Sequence, residues 1–180
     1  MKKIISEKVI RIIKNKANLE KELDVKLNII GKEITIIGEP EEEYIAEKVI
    51  EAIDFGFPIS SALSIKKEEF LFEILNIKEY TNQKDFERVR GRIIGKDGKA
   101  LKTISTLSNC HIELSGNKLG IIGEAECIRN AEEACKLLIK GTKHSNVYSY
   151  LEKHGHSEPL LDLGLKEAKS TGKNKKINKQ

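Results

Sequence analysis

Two stretches of this chain repeat one another at a constant distance. "KEITIIGEPEEEYIAEKVIEAIDFG", residues 32–56, and "NKLGIIGEAECIRNAEEACKLLIKG", residues 117–141, pair Ile36 with Ile121, Gly38 with Gly123 and Glu39 with Glu124. They go on to pair Ala46 with Ala131, Glu47 with Glu132 and Gly56 with Gly141, every pair 85 positions apart. A spacing held over that length marks two copies of one unit. The fold must therefore be one that can be built twice within 180 residues.

Each copy reads as a short strand, a Gly-Glu turn and an amphipathic helix. In the second helix Ile128, Ala131, Ala134, Cys135, Leu138 and Ile139 recur at helical spacing. In the first, Ile45, Ala46, Val49, Ile50 and Ile53 do the same. Ahead of each strand lies another, "VKLNI" at 25–29 and "CHIEL" at 110–114, alternating apolar and polar residues as a half-buried strand does. The expected unit is a hairpin with a helix packed on its face.

The upstream parts correspond less closely. "RII" at 11–13 matches "RII" at 92–94, now at an offset of 81. After it the second copy reads "GKDG", 95–98, where the first reads Lys14-Asn15-Lys16-Ala17. The glycine cluster in "GRIIGKDGKA", 91–100, therefore occurs in one copy alone. Phe86 and Val89 suit a short strand, residues 91–94 a helical turn, and Ala100, Leu101, Ile104 and Leu107 one face of a further helix. Glycines at 95 and 98 permit close approach of a phosphate to backbone, beside a helix N-terminus whose free N–H groups and dipole favour anions. Arg92, Lys96, Lys99 and Lys102 add positive charge, and Asp97 opposes it. A Walker loop would need Ser or Thr after its last lysine, and a dinucleotide fingerprint would need GxGxxG; neither is present.

This arrangement resembles the KH domain, in which a GxxG loop between two helices clamps the backbone of about four nucleotides. The resemblance implies an α+β fold: tandem type I (eukaryotic-type) KH domains, each a three-stranded antiparallel sheet with helices on one face. Its expected boundaries are a degenerate module lacking GxxG at 1–57, an inter-module segment at 58–84, a module with GxxG at 85–153 and a tail at 154–180. The RNA-binding set it implies is Gly91, Arg92, Ile93, Ile94, Gly95, Lys96, Asp97, Gly98, Lys99, Lys102 and Ile112. The glycines and Asp97 form the loop, the cations neutralise phosphates, and Ile93, Ile94 and Ile112 supply an apolar floor.

"RVRGRIIGKDGKALKTI", "GIIGEAECIRNAEEACKLLIKG", "KHSNVYSYLEK" at 143–153 and "AIDFGFPISSAL" at 52–63 are similar to archaeal KH-domain ribosome-assembly proteins, counterparts of the eukaryotic Partner of Nob-one. That resemblance implies binding of single-stranded small-subunit rRNA near its 3′ end. It also implies work beside the Nob-one endonuclease and contact with the alpha subunit of initiation factor two. The degenerate first module leaves a second class open, a protein-interaction scaffold with little RNA binding. A third reading is another KH-type protein, such as an exosome cap or termination factor.

Composition fits a clamp better than a stacking surface. Aromatic residues are 5% with no Trp, which disfavours reading bases on exposed rings. The net charge of +4 favours anionic partners without demanding them. Three cysteines without CxxC spacing suggest a reducing compartment and buried thiols. Four scattered histidines and no nucleophile–base pair point to no metal, no cofactor and no catalysis. No apolar run approaches the roughly 18 residues of a membrane span, and the charged N-terminus does not read as a signal peptide, so a cytoplasmic protein is expected. Between the modules, "SSALSIKKEEF" suggests a short helix capped by Ser60 or Ser61, and "LFEILNI" at 71–77 a β-prone stretch packed between modules. Lys166 to Gln180, with six lysines and one acid, is expected to be disordered.

Overall fold

Apolar alternation in Lys26–Ile30 and the β-branched run in Glu33–Ile37 form the antiparallel hairpin that the repeat predicts. The computed structural model of the protein describes residues 2–81 and 86–154. The first half runs β1 (Lys2–Ile5), α1 (Val9–Lys14), α2 (Lys16–Leu23), β2 (Lys26–Ile30), β3 (Glu33–Ile37) and α3 (Pro40–Phe55). The second runs β4 (Phe70–Asn76), α5 (Phe86–Ile94), α6 (Lys99–Leu107), β5 (His111–Ser115), β6 (Lys118–Glu124) and α7 (Ala125–Ile139). A further helix, α8 (His144–His154), follows. The two three-stranded sheets have matching orders, β1-β3-β2 and β4-β6-β5, and every pairing is antiparallel.

The long helices form where the sequence places them. α3 opens with Pro40 and Glu41, Glu42 and Glu43 in its first turn, which suits the free N–H groups and positive dipole there. Glu43 accepts a hydrogen bond from the Gly38 amide at 3.1 Å, tying the turn to the helix. Ala46, Val49, Ile50 and Ile53 are buried on its inner face, while Ile45 is half-buried. In α7 all six expected residues are buried.

Three local expectations are corrected. Phe86 and Val89 begin helix α5, not a strand, because Phe86, Val89 and Ile93 recur at helical spacing and Val89 and Ile93 are buried along one stripe. The strand that opens the second sheet is β4, seven residues paired to β6 from Phe70↔Glu124 to Asn76↔Lys118. The β-prone stretch assigned to the inter-module segment thus belongs to the second sheet. Ser60 and Ser61 lie inside a short helix, α4 (Ile59–Ala62), whose N-cap is Pro58 with no side-chain cap; Ser61 instead offers its carbonyl to the Ser64 hydroxyl at 2.6 Å. The tail from 155 lies outside the described residues.

The two halves share a core. Leu119 to Gly123 of β6 are all buried, without alternation, the pattern of a strand covered on both faces. Leu119 and Ile121 join the core under α5 and α7. Ile122 joins the first half's core, with Phe70 and Phe72 of β4 packed against it. Phe55, Phe57 and Phe72 cluster with ring centroids 5.7–6.0 Å apart. A Cβ on Gly120 would lie 2.7 Å from Phe57 and 2.8 Å from Phe55, so the absence of a side chain lets the first half press against the sheet. The position 85 residues earlier is Thr35, which carries a side chain where Gly120 has none.

Candidate nucleic-acid interface

The glycine loop joins α5 to α6 through three residues of positive φ. Gly95 has φ 71° and ψ −177°, Asp97 φ 54° and Gly98 φ 74°. The Gly95 amide closes the last turn of α5 on Gly91 O at 2.9 Å. α6 starts at Lys99 with Gly98 as its N-cap and no side chain capping it, so its first-turn N–H groups face the loop.

The two glycines do different work. A Cβ on Gly95 would stand 2.4 Å from the Ala100 Cβ and 2.9 Å from its backbone nitrogen. Gly95 is thus required by the packing of the loop on its own following helix. Around Gly98 nothing lies within 4 Å of the Cβ position; this glycine leaves backbone open to a ligand.

The structure brings Lys96, Asp97, Gly98, Lys99 and Lys102 together on the loop and the outer side of α6, with Lys96, Asp97, Lys99 and Lys102 exposed. Gly91 is exposed and Ile94 and Gly98 are half-buried beside them. Three expected site residues are placed elsewhere. Ile93 has no exposed surface and Ile112 is 6% exposed; both belong to the core packed on the sheet. Arg92 is half-buried, and its guanidinium donates to the Thr142 carbonyl at 2.5 Å.

Sequence reasoning missed Thr142 and His144, whose ring nitrogen Nε2 lies 2.9 Å from the Arg92 carbonyl oxygen. The available signal was the repeated Arg11/Arg92 and Gly56/Gly141.

The equivalent stretch of the first half is built differently. α1 and α2 meet at Asn15, whose φ is −118° and whose side chain donates to Arg11 O at 2.9 Å. Lys14 is exposed, and Lys16 pairs with Glu20 at 3.8 Å. No left-handed residue separates these helices, so the junction presents no loop of open backbone.

Among the described residues no group of three His, Cys, Asp or Glu side chains converges on a possible metal position, and no helix is long and apolar enough to cross a membrane. Burial pushes the thiols of Cys110 and Cys135 up to about 12 and raises that of Cys127 as well. Cys110 and Cys135 are buried packing residues.

Comparison with known proteins bears on the same region. Residues 71–156 match the family described as the eukaryotic-type KH domain, KH-domain type I. A KH domain-containing protein of Methanocaldococcus jannaschii is 34% identical over 145 residues, covering 77% of this chain and 64% of that one. Pre-rRNA-processing protein pno1 of Aspergillus fumigatus is 33% identical over 111 residues, 59% of this chain and 44% of its own length. The chain thus spans less than two thirds of these curated relatives. Dim2p from Pyrococcus horikoshii superposes with a TM-score of 0.76 at 28% identity, over 84% of this chain and 98% of that one. A chain of the a/eIF2alpha–aDim2p–rRNA complex from the same organism superposes with a TM-score of 0.76 at 28% identity, over 86% and 93%.

Proposed function

We propose, for a chain that belongs through residues 71–156 to the eukaryotic-type KH family, that it is a non-catalytic RNA-binding factor of small ribosomal subunit assembly. Both halves are KH units of type I, and the second holds single-stranded rRNA near its 3′ end. The observation that carries this reading is the open backbone at Gly98, flanked by exposed Lys96, Lys99 and Lys102 at the start of α6. Loop amides and the helix N-terminus receive phosphate oxygens, and the lysines neutralise them. Half-buried Ile94 provides apolar contact beside the loop. The solved complex of aDim2p with rRNA and a/eIF2alpha supports both an RNA ligand and an initiation-factor partner. The Nob-one endonuclease, a cytoplasmic location and the absence of catalysis follow from the family resemblance and belong to the same proposal. In the first half the closed junction at Asn15 favours buttressing or protein contact over RNA clamping.

The test is Lys96→Asp. It exchanges an exposed cation for an anion beside the phosphate path. Single-stranded RNA affinity is expected to fall about tenfold or more at low salt, with the thermal midpoint within about 2 °C of wild type, as suits an exposed position. Unchanged RNA binding would move the site away from this loop.

A further inference from the structure

We propose that Arg92 is a positioning residue for the RNA-binding loop: with Thr142 and His144 it forms a clasp that fixes the end of α5, and it does not itself contact phosphate. The inference rests on the reading that the loop at 95–98 binds RNA.

The clasp is anchored on a rigid turn. At the end of α7 the Thr142 amide donates to Leu137 O and the Gly141 amide to Leu138 O, each at 3.0 Å, with Gly141 at φ 99°. This is a Schellman-type helix stop, which fixes the direction of the Thr142 carbonyl. Arg92 donates to that carbonyl at 2.5 Å, and its Nε is buried without a partner. That edge of the guanidinium therefore lies against protein. In return His144 reaches the Arg92 carbonyl at 2.9 Å. A carbonyl oxygen can only accept, so Nε2 carries the proton. α8 holds His144 in place through Val147 and Leu151, both fully buried. Arg92 thus bonds the α7–α8 turn from its side chain and from its backbone, three residues before Gly95.

The duplicated half shows the same device without the loop. Arg11, which stands 81 positions before Arg92, donates to Gly56 O at 3.2 Å and Phe57 O at 3.4 Å. Gly56 and Phe57 are the repeat partners of Gly141 and Thr142, 85 positions on. An arginine kept in the copy that has no glycine clamp, and bonded to the matching turn, serves the architecture of the unit. In the second half that architecture happens to end at the clamp.

The experiment uses the full chain and a short labelled single-stranded RNA of mixed sequence, titrated at several salt concentrations. The variants are Arg92→Lys, Arg92→Met and His144→Ala, with Lys96→Ala as the comparator. A positioning role predicts that all three clasp variants lose about three- to tenfold in affinity, the scale of one hydrogen bond. Their salt dependence should match wild type, whereas Lys96→Ala flattens the slope by about 0.7. Amide exchange at Gly95 should quicken in the clasp variants before any RNA is added. The idea is overturned if Arg92→Lys binds like wild type while Arg92→Met flattens the salt slope, since that is the signature of a phosphate contact. It is equally overturned if His144→Ala changes neither affinity nor exchange at Gly95. Should Arg92→Met fail to fold, Arg92→Lys and His144→Ala decide the matter. Should the wild-type chain bind no RNA, the proposed function falls, and exchange at Gly95 alone decides whether the clasp holds the loop.

Discussion

Replacing Gly95 and Gly98 by alanine, one at a time, separates two reasons for a glycine. At Gly95 the added methyl would lie 2.4 Å from the Ala100 Cβ and 2.9 Å from its nitrogen, against a comfortable carbon–carbon separation of about 3.5–4.0 Å. The start of α6 must move by about 1 Å to admit it, and such overpacking costs about 1–3 kcal/mol. The backbone at φ 71° and ψ −177° is a region essentially confined to glycine, which adds about 1–3 kcal/mol. Alanine returns about 0.4–1 kcal/mol by stiffening the unfolded chain. The net loss is about 1–5.5 kcal/mol. At Gly98, with φ 74° and ψ 6° and open space around the Cβ position, only the left-handed backbone matters. That costs about 1–2 kcal/mol, and the same entropic return leaves about 1 kcal/mol. Urea denaturation should therefore show a large drop in midpoint for Gly95→Ala and a small one for Gly98→Ala, with the slope unchanged in both. Gly98→Ala, still folded, should bind single-stranded RNA more weakly, because its methyl occupies the space left for a phosphate. Equal destabilisation by the two variants, or a larger effect at Gly98, would refute the assignment of Gly95 to internal packing.

Three further outcomes are expected. Asp97→Asn removes the loop's negative charge with a residue that tolerates the left-handed backbone; RNA affinity should rise about two- to fivefold at low salt and less at high salt, and a fall would contradict the electrostatic account. Gly120→Ala pushes a methyl into Phe55 and Phe57 and should cost about 1–3 kcal/mol in a denaturant titration; no change would mean that the rings are not packed on this strand. Because burial holds the Cys110 and Cys135 thiols protonated up to about 12, the unfolded chain releases those protons first. Their contribution to stability is complete below the ordinary thiol value near 9.0 and is lost as pH climbs from there toward 12. Melting temperatures across that range measure it, and iodoacetamide near pH 8 should modify half-buried Cys127 ahead of the other two.

Much of the fold is legible because duplication doubles the signal. Gly38/Gly123 and Gly56/Gly141 mark the ends of matching strands and helices, and the apolar spacing of α3 and α7 carries straight into burial. The misplaced strand shows the limit of local pattern. Phe86 and Val89 are two apolar residues among charges, and only Ile93, one turn further on and fully buried, makes them a helix. β4 looked like connecting chain because its partner β6 lies more than forty residues away along the sequence. In the candidate site the loop glycines adopt the positive φ, and the lysines around them the exposure, that the sequence suggests. Placement that depends on tertiary partners was not legible. Nothing local to Arg92 says that its guanidinium turns inward to Thr142. Ile93 and Ile112 are as apolar as a floor should be, yet the core claims them.

β6 has two dry faces, and a different half of the chain covers each. The unit that was duplicated is therefore no longer the unit that folds. A polypeptide cut to residues 70–154 would keep every strand and helix of the loop-bearing half but strip the cover from Phe70, Phe72 and Ile122. It would gain a sticky apolar wall on the back of the sheet that carries the loop. The first half is thus cover for the back of the second half's sheet, a service that asks nothing of the junction at Asn15.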